Sequence, residues 1–325
     1  MKYVSLPTDC NYALPFYLAM EEYLARRTDV ADDMFFMWRV EPTVIIGRNQ
    51  DIYTEVNLEY CRDTGVRVYR RKSGGGCVYA DMDNVMLSCV MRSDSSVQST
   101  FSRYTEAVAS MLQSLGVDAR ASSRNDITVG DYKVSGSAFY HLPGRSIVHG
   151  TMLYDLDIER MVSAITPSDV KLRSNGVESV RSRVKSLNGF LDMSLDDFMA
   201  YVRGYLCDGD LVLTADDILE IERLSQPYYN ERWIYGSRRH KSAKEPRRVD
   251  NAGVLSCDVN VADGVIRDVG LSGDYFQLDD FDKIIAGRLR GKSYEADSVA
   301  EALSEVNVGN VICGLTNDEL IKLLF

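Results

Sequence analysis

With 325 residues, 45% of them apolar and 26% charged, the chain is long enough to bury a full core and points to two domains, one large and one small. A net charge of -11 argues against non-specific binding to nucleic acid or to anionic membranes. No apolar run reaches the roughly 18 residues of a membrane span, and the opening Met1-Lys2-Tyr3-Val4-Ser5-Leu6-Pro7 lacks a signal-peptide pattern, so a cytoplasmic location is expected. The seven cysteines are odd in number, scattered and never C-x-x-C, and His141, His149 and His240 lack metal-ligand spacing. Neither disulfides nor a tightly bound transition metal is expected.

The first helix is expected from Pro15 to Arg26, with Phe16, Ala19, Met20, Tyr23 and Leu24 on the apolar face and Glu21 and Glu22 off it. Met34–Arg39 and Thr43–Arg48 read as strands about Glu41-Pro42, the second buried on both faces. Asn57 to Gly65 reads as a short helix with its stop. Thr100 to Gly116 is an amphipathic helix whose Phe101, Tyr104, Val108, Met111 and Leu112 belong to the core.

Asp126 to Ser137 reads as a β-hairpin turning at Gly130-Asp131, and alternation places Lys133 opposite Tyr132 and Val134. His149-Gly150-Thr151 leads into a further strand, and a helix from Asp157 to Ile165 stops at Pro167. Lys171, Arg173, Arg181, Arg183 and Lys185 form a basic run that reads either as a solvated segment or as a contact for phosphate or an acidic partner. Helices begin at Ser194, with a capping Ser-x-x-Asp, and after Thr214.

From Gly236 to Arg248 there is almost nothing to bury, which marks an exposed loop at a boundary. The expected organisation is a catalytic domain over 1–236, a linker loop over 237–252 and an accessory domain over 253–325. In the last, strands 253–261 and 264–269 turn at Ala262-Asp263, and helices follow at 281–289, 298–306 and 317–324. The fold class is α+β: mixed β-sheets flanked by helices, plus a small α+β C-terminal domain.

The stretch Arg70-Arg71-Lys72-Ser73-Gly74-Gly75-Gly76-Cys77-Val78-Tyr79 is the strongest functional signal. Glycine weakens strand regions by roughly 0.5–1 kcal/mol relative to alanine, so three together between strands imply a close approach to the backbone. Three cations beside exposed N–H groups suit an anion such as phosphate or carboxylate; the plain alternative is a mobile hairpin loop with basic residues on its exposed side. It is neither a P-loop nor a Rossmann turn, since no Gly-Lys-Ser/Thr or G-x-G-x-x-G opens a helix here.

That stretch, with Asp81 and Asn84, Asn125-Asp126, Lys133-Val134-Ser135-Gly136-Ser137-Ala138, His149-Gly150-Thr151 and Val180-Arg181-Ser182-Arg183-Val184, resembles the lipoate-protein ligase A family of the biotin/lipoate ligase-like superfamily. The tail is similar to that family's accessory domain in Asp263-Gly264-Val265-Ile266, Gly273-Asp274-Tyr275-Phe276 and Leu289-Arg290-Gly291-Lys292-Ser293-Tyr294. Ala80, Asp83 and Val148 depart from the family's usual histidine, glycine and histidine.

The resemblance implies that lipoate and ATP give lipoyl-AMP and pyrophosphate, after which the acyl group passes to a lysine of a lipoyl domain or of glycine-cleavage H protein. Magnesium is the implied cofactor and Asp126 its implied contact. Lys133 would hold the lipoate carboxyl, later carbonyl, with the α-phosphate, where cations and N–H donors neutralise developing charge. Arg70, Arg71 and the Gly76-Cys77-Val78-Tyr79 backbone would meet the nucleotide. Asn84, Asn125 and Asp126 would contact phosphate, magnesium or adenine. Ser73, Gly74, Gly75, Ser135, Gly136 and His149 would border the lipoate. A monomer with no nucleic-acid or membrane partner is expected. Two other readings stay open at this point: an octanoyl or lipoyl transferase that needs no ATP, with Cys77 as a thioester nucleophile, and a non-catalytic lipoate-binding protein.

Overall fold

In the computed structural model, residues 1–8, 10–92, 97–122, 125–165, 184–236 and 245–325 are described. Among them, strands β1 (Lys2–Ser5), β2 (Met34–Trp38), β3 (Thr43–Ile46), β4 (Arg67–Arg70), β5 (Val78–Ala80), β6 (Val85–Arg92), β7 (Ala119–Ala121), β8 (Asp126–Val129), β9 (Tyr132–Leu142), β10 (Arg145–Met152) and β11 (Gly209–Val212) precede β12 (Arg247–Val249), β13 (Gly253–Ala262) and β14 (Val265–Gly273). They form a mixed sheet in the order β11-β1-β2-β6-β10-β9-β8-β7 and two three-stranded sheets, β4-β3-β5 and β12-β13-β14. The α+β architecture with a smaller C-terminal module is as expected.

The large sheet is covered on both faces, and strand alternation decides which side chain goes where. Phe36, Val90 and Ile147 meet Phe16, Met20 and Leu24 of the Leu14–Arg26 helix. Phe35, Cys89 and Val148 meet Tyr104, Val108 and Leu112 of the Val97–Ser114 helix. β6 is buried up to Arg92 and reads as a near-continuous apolar run, whereas β10 is buried along its whole length although Arg145, Ser146, His149 and Thr151 interrupt its apolar residues. Val148, at a position where the family commonly carries histidine, therefore points into core, away from His149. Ala80 is 1% exposed, packed with Ile45 and Met86, so the space is apolar there too.

Local chemistry sets the ends. Asn57 Oδ1 accepts from the Tyr60 amide at 3.1 Å, and Ser194 caps the Leu195–Leu206 helix through the Asp197 amide at 3.1 Å. β8 and β9 form the expected hairpin, with left-handed Gly130 opening its turn. Alternation in β9 is interrupted, however. Lys133 pairs with Thr128 and Ser135 with Ile127, so Val134 is an extra, bulged residue that enters the core while Tyr132 stays exposed.

Four further details differ from the sequence reading. Glu21 and Glu22, expected off the buried face of the first helix, are 0% and 3% exposed because polar partners from other elements meet them. The turn of the C-terminal hairpin falls on Asp263-Gly264, both left-handed, one residue later than expected, as a two-residue type I′ turn requires. Residues 247–249, inside the expected linker loop, pair with β13 as an edge strand. The segment after Phe281 winds as a π turn, Asp282–Ala286, before Gly287–Leu289. Among the described residues no helix is long and apolar enough to cross a membrane.

Candidate active site

The glycine-rich stretch joins β4 to β5, which do not pair with each other; β3 lies between them. The loop must therefore pass over the end of β3, and the preceding arginines hold it there. Arg71 is buried and gives Nε to Ser73 Oγ at 2.9 Å, Nη1 to the Ile45 carbonyl at 3.0 Å, and Nη2 to the carbonyls of Gly74 and Gly76 at 2.7 and 2.8 Å. Arg70 donates to the carbonyls of Trp233 and Ile234 through Nε, and to those of Gly47, Arg48 and Gln50 through Nη1. Burial pushes both guanidinium groups down to about 10, which still leaves them cationic at neutral pH. Lys72 pairs with buried Glu22 at 2.7 Å, and the Tyr228 hydroxyl donates to the same carboxylate.

The loop also meets the C-terminal module. The Gly75 amide donates to the Tyr275 carbonyl at 3.2 Å, and the Gly273 amide to the Asn49 carbonyl at 2.9 Å. A β-carbon on Gly74 would overlap the Tyr275 carbonyl oxygen, so only glycine allows this contact. Phe276 stacks on Phe139 with ring centroids 5.2 Å apart.

Beneath the loop runs a chain of buried polar groups. Ser73 Oγ, which accepts from Arg71, lies 2.8 Å from His149 Nε2, and His149 Nδ1 is 3.0 Å from both Glu21 oxygens. Facing an acceptor-only carboxylate, Nδ1 carries a hydrogen toward Glu21, while Nε2 shares a hydrogen bond with the Ser73 hydroxyl, which can both donate and accept. Ser88 donates to Glu21 at 2.6 Å and accepts from Trp38 Nε1 at 2.9 Å.

Loop and sheet border a cavity of about 90 Å³ that opens to solvent. Leu18, Trp38, Ile45, Val78, Met86 and Ala138 make one part apolar; Arg71, Asn125, Lys133, His149 and Thr151 supply polar groups, with Gly75, Gly76, Cys77, Gly136, Ser137 and Gly150 along the wall. Lys133 Nζ lies 2.7 Å from Asp126 Oδ1, and its side chain crosses the bare Cα of Gly136. Asn125 Nδ2 donates to the Ser137 carbonyl at 3.0 Å. An apolar slot next to an ammonium group suits a fatty carboxylate: the tail leaves water while the head finds a cation.

Of the residues singled out in the sequence, Arg71, Gly75, Gly76, Cys77, Val78, Asn125, Lys133, Gly136 and His149 border this cavity. Arg70, Ser73, Gly74, Tyr79, Asn84 and Ser135 are buried around it and do not line it. The Tyr79 backbone is in register with Val44, and burial pushes its phenol up to about 12. Asn84 accepts from the Tyr154 amide at 3.0 Å and donates to Asp81 at 2.6 Å. Lys171, Arg173, Arg181 and Arg183 lie outside the described residues. The sequence reading missed Leu18, Met86 and Glu21; two consecutive glutamates on an otherwise buried helix were the available signal. No group of three or more His, Cys, Asp or Glu among the described residues could hold a metal ion.

Comparison with known proteins follows the same lines. Residues 14–206 match the model of the lipoyl protein ligase A/B catalytic domain, and residues 242–324 that of the bacterial lipoate protein ligase C-terminus. The chain is 33% identical over 318 residues to lipoate-protein ligase LplJ of Bacillus subtilis, covering 95% of this chain and 96% of the relative. It is 32% identical over 314 residues to lipoate-protein ligase 1 of Staphylococcus aureus, covering 94% and 95%. Among solved structures, it is similar to a putative lipoate protein ligase of T. acidophilum with bound lipoic acid (TM-score 0.63, 27% identity, 73% of this chain and 100% of that one). It is also similar to a bi-partite lipoate protein ligase of Thermoplasma acidophilum, described with its E2 lipoyl domain (TM-score 0.65, 29% identity, 74% and 98%). A third likeness is to lipoate-protein ligase A bound with ATP (TM-score 0.61, 26% identity, 72% and 98%). Through both its catalytic and its C-terminal segments, the chain belongs to the lipoate-protein ligase family.

Proposed function

We infer that this protein activates lipoate with ATP and transfers the lipoyl group to a lysine of a lipoyl domain. The observation that carries the reading is the single cavity in which the Lys133 ammonium, the Gly75-Gly76-Cys77 wall and an apolar slot meet. In the first step a lipoate carboxylate oxygen attacks the α-phosphorus; the bond to the β-phosphate breaks and pyrophosphate leaves. In the second, the acceptor amine attacks the acyl carbon, the bond to the AMP oxygen breaks, and the amine gives up a proton.

Bringing a carboxylate onto a phosphate costs repulsion, which a cation placed beside both offsets. Lys133 is assigned that role: it binds the carboxylate and the α-phosphate together, then the carbonyl oxygen. Asp126 holds the ammonium in place until the anions arrive. Arg71 acts by fixing the wall at Gly74 and Gly76, so that the backbone from Gly76 to Val78 presents itself to the nucleotide, with Asn125 nearby. Ser73 and Gly74 hold that wall through Arg71, and Arg70 fixes the neighbouring turn at Gly47 to Gln50. His149 borders the lipoate, oriented by Glu21 and Ser73. Asp126, beside the cationic end, would supply one carboxylate oxygen to a magnesium ion bound with ATP, which would offset phosphate charge there. Glycine-cleavage H protein is a second acceptor class, and the enzyme works as a cytoplasmic monomer.

Incubation with lipoate, ATP, magnesium and an apo lipoyl domain adds one lipoyl group to the acceptor's mass, and omission of ATP prevents it. Lys133→Ala removes the transfer with thermal stability retained. No mass gain for the wild-type protein, or full turnover in the variant, would overturn the reading.

A further inference from the structure

Lys133 lies past the end of the pairing between β10 and β9, which stops at Met152 and Ser135. The bulge at Val134 interrupts the ladder on the other side as well. The Lys133 backbone is thus paired with Thr128 of β8 on one side and left to a further segment on the other, and an error of about 1 Å at a reacting group can cost roughly a hundredfold in rate.

Another segment completes the surroundings of Lys133. The Lys185 amide donates to the Lys133 carbonyl at 3.1 Å, and Val184 bridges Lys133 in parallel. That segment is itself anchored: Leu187 and Asn188 donate to the carbonyls of Leu153 and Tyr154 at 2.8 and 2.9 Å, and Ser186 Oγ accepts from the Leu156 amide at 2.9 Å. The Lys185 side chain then reaches back to the hairpin. Its Nζ stands 5.1 Å from the ring centroid of Tyr132, the residue before Lys133, and 4.6 Å from that of Phe190. Phe190 packs against the core, so the ammonium links a fixed ring to a ring on the bulged strand. Lys185 does not line the cavity.

We propose that Lys185 is a positioning residue for Lys133. Held between Tyr132 and Phe190 and bonded through its amide to the Lys133 carbonyl, it sets where the Lys133 ammonium stands relative to the reacting carboxylate and α-phosphate. The inference rests on the role given to Lys133 above. It requires a cation of lysine's reach at position 185, because a face of each ring attracts positive charge.

Lipoate-dependent exchange between ATP and pyrophosphate, measured on full-length Lys185→Ala, Lys185→Met and Lys185→Arg, tests it. The alanine and methionine variants should lose roughly tenfold in kcat, the scale of two exposed cation–ring contacts, with KM for ATP and lipoate within twofold. The arginine variant should stay within about twofold of wild type. Wild-type kcat in Lys185→Ala, or an arginine variant as slow as the alanine one, overturns the proposal. Should Lys185→Ala fail to fold, Tyr132→Leu, which keeps an apolar cover and removes the ring, must show the same loss confined to kcat, and an unchanged kcat there overturns it equally. Lys133→Ala run in parallel separates the two readings: its inactivity beside a fully active Lys185→Ala rejects only the positioning role, whereas its full activity rejects the role of Lys133 and this inference with it.

Discussion

The ammonium of Lys133 lies across Gly136: a β-carbon on that glycine would stand 2.8 Å from Nζ. The crowded neighbour is the end of a flexible side chain, so alanine can be accommodated by turning Lys133 aside. Gly136→Ala should therefore change unfolding free energy by less than about 1 kcal/mol while lowering the adenylation rate tenfold or more. Paired thermal unfolding and pyrophosphate exchange check this; equal activity would mean that the observed Lys133 position is not the working one.

Gly74 offers the opposite case, because its neighbour is a backbone carbonyl, Tyr275 O, which cannot swing away. Gly74→Ala should cost about 1–3 kcal/mol, the usual penalty of overpacking, and should raise hydrogen exchange at the Gly75 amide that donates to Tyr275. Unchanged protection of that amide would show that the C-terminal contact does not need a glycine.

Lys72 tests the ionic support of the loop. Glu22 is 3% exposed, and removing its closest cation leaves a buried carboxylate with, among the described residues, Arg26 and Tyr228. A loss of about 1–3 kcal/mol is expected for Lys72→Met, below the usual cost of breaking a fully buried pair because Lys72 is partly solvated. The double variant Lys72→Met/Glu22→Gln should recover part of it in urea unfolding, and a purely additive cycle would exclude the coupling.

Asp81 should leave a signature in pH dependence. Burial raises its carboxyl above the usual range, against the opposing hydrogen bond from Asn84. The folded state thus holds this proton to higher pH than the unfolded chain does, and stability falls as pH rises from the ordinary aspartate value through the raised one. In Asp81→Asn that contribution vanishes, so the stability of wild type relative to the variant should be greatest in acid and decline across that window. Urea unfolding over a pH series checks it; a difference that grows with pH would reverse the sign.

Much was legible in the order of residues alone. Helical spacing from Phe101 to Leu112, the cap at Ser194 and the turn at Gly130 are short-range effects, settled by which neighbours share a face and which backbone angles a residue tolerates. The glycine loop, the hairpin lysine and the family they resemble were readable for the same reason, as strings of adjacent residues. β1 and β11 were not, since neither short strand announces a parallel partner some two hundred positions away.

What the tertiary structure decided was the employment of the charges. Arg70, Arg71 and Lys72 look like an anion trap in the sequence, yet their donors go to carbonyls near Gly47 and Ile234, to the loop itself and to Glu22. A buried cation must be paired wherever the fold provides an acceptor, and those acceptors come from strand ends and helices remote in the chain. By itself the sequence determined most of the elements, the loop and the chemistry class. Only packing determined that the loop's cations hold its shape, that Glu21 and Glu22 turn inward to meet His149 and Lys72, and that Lys133 stands with the loop around one cavity.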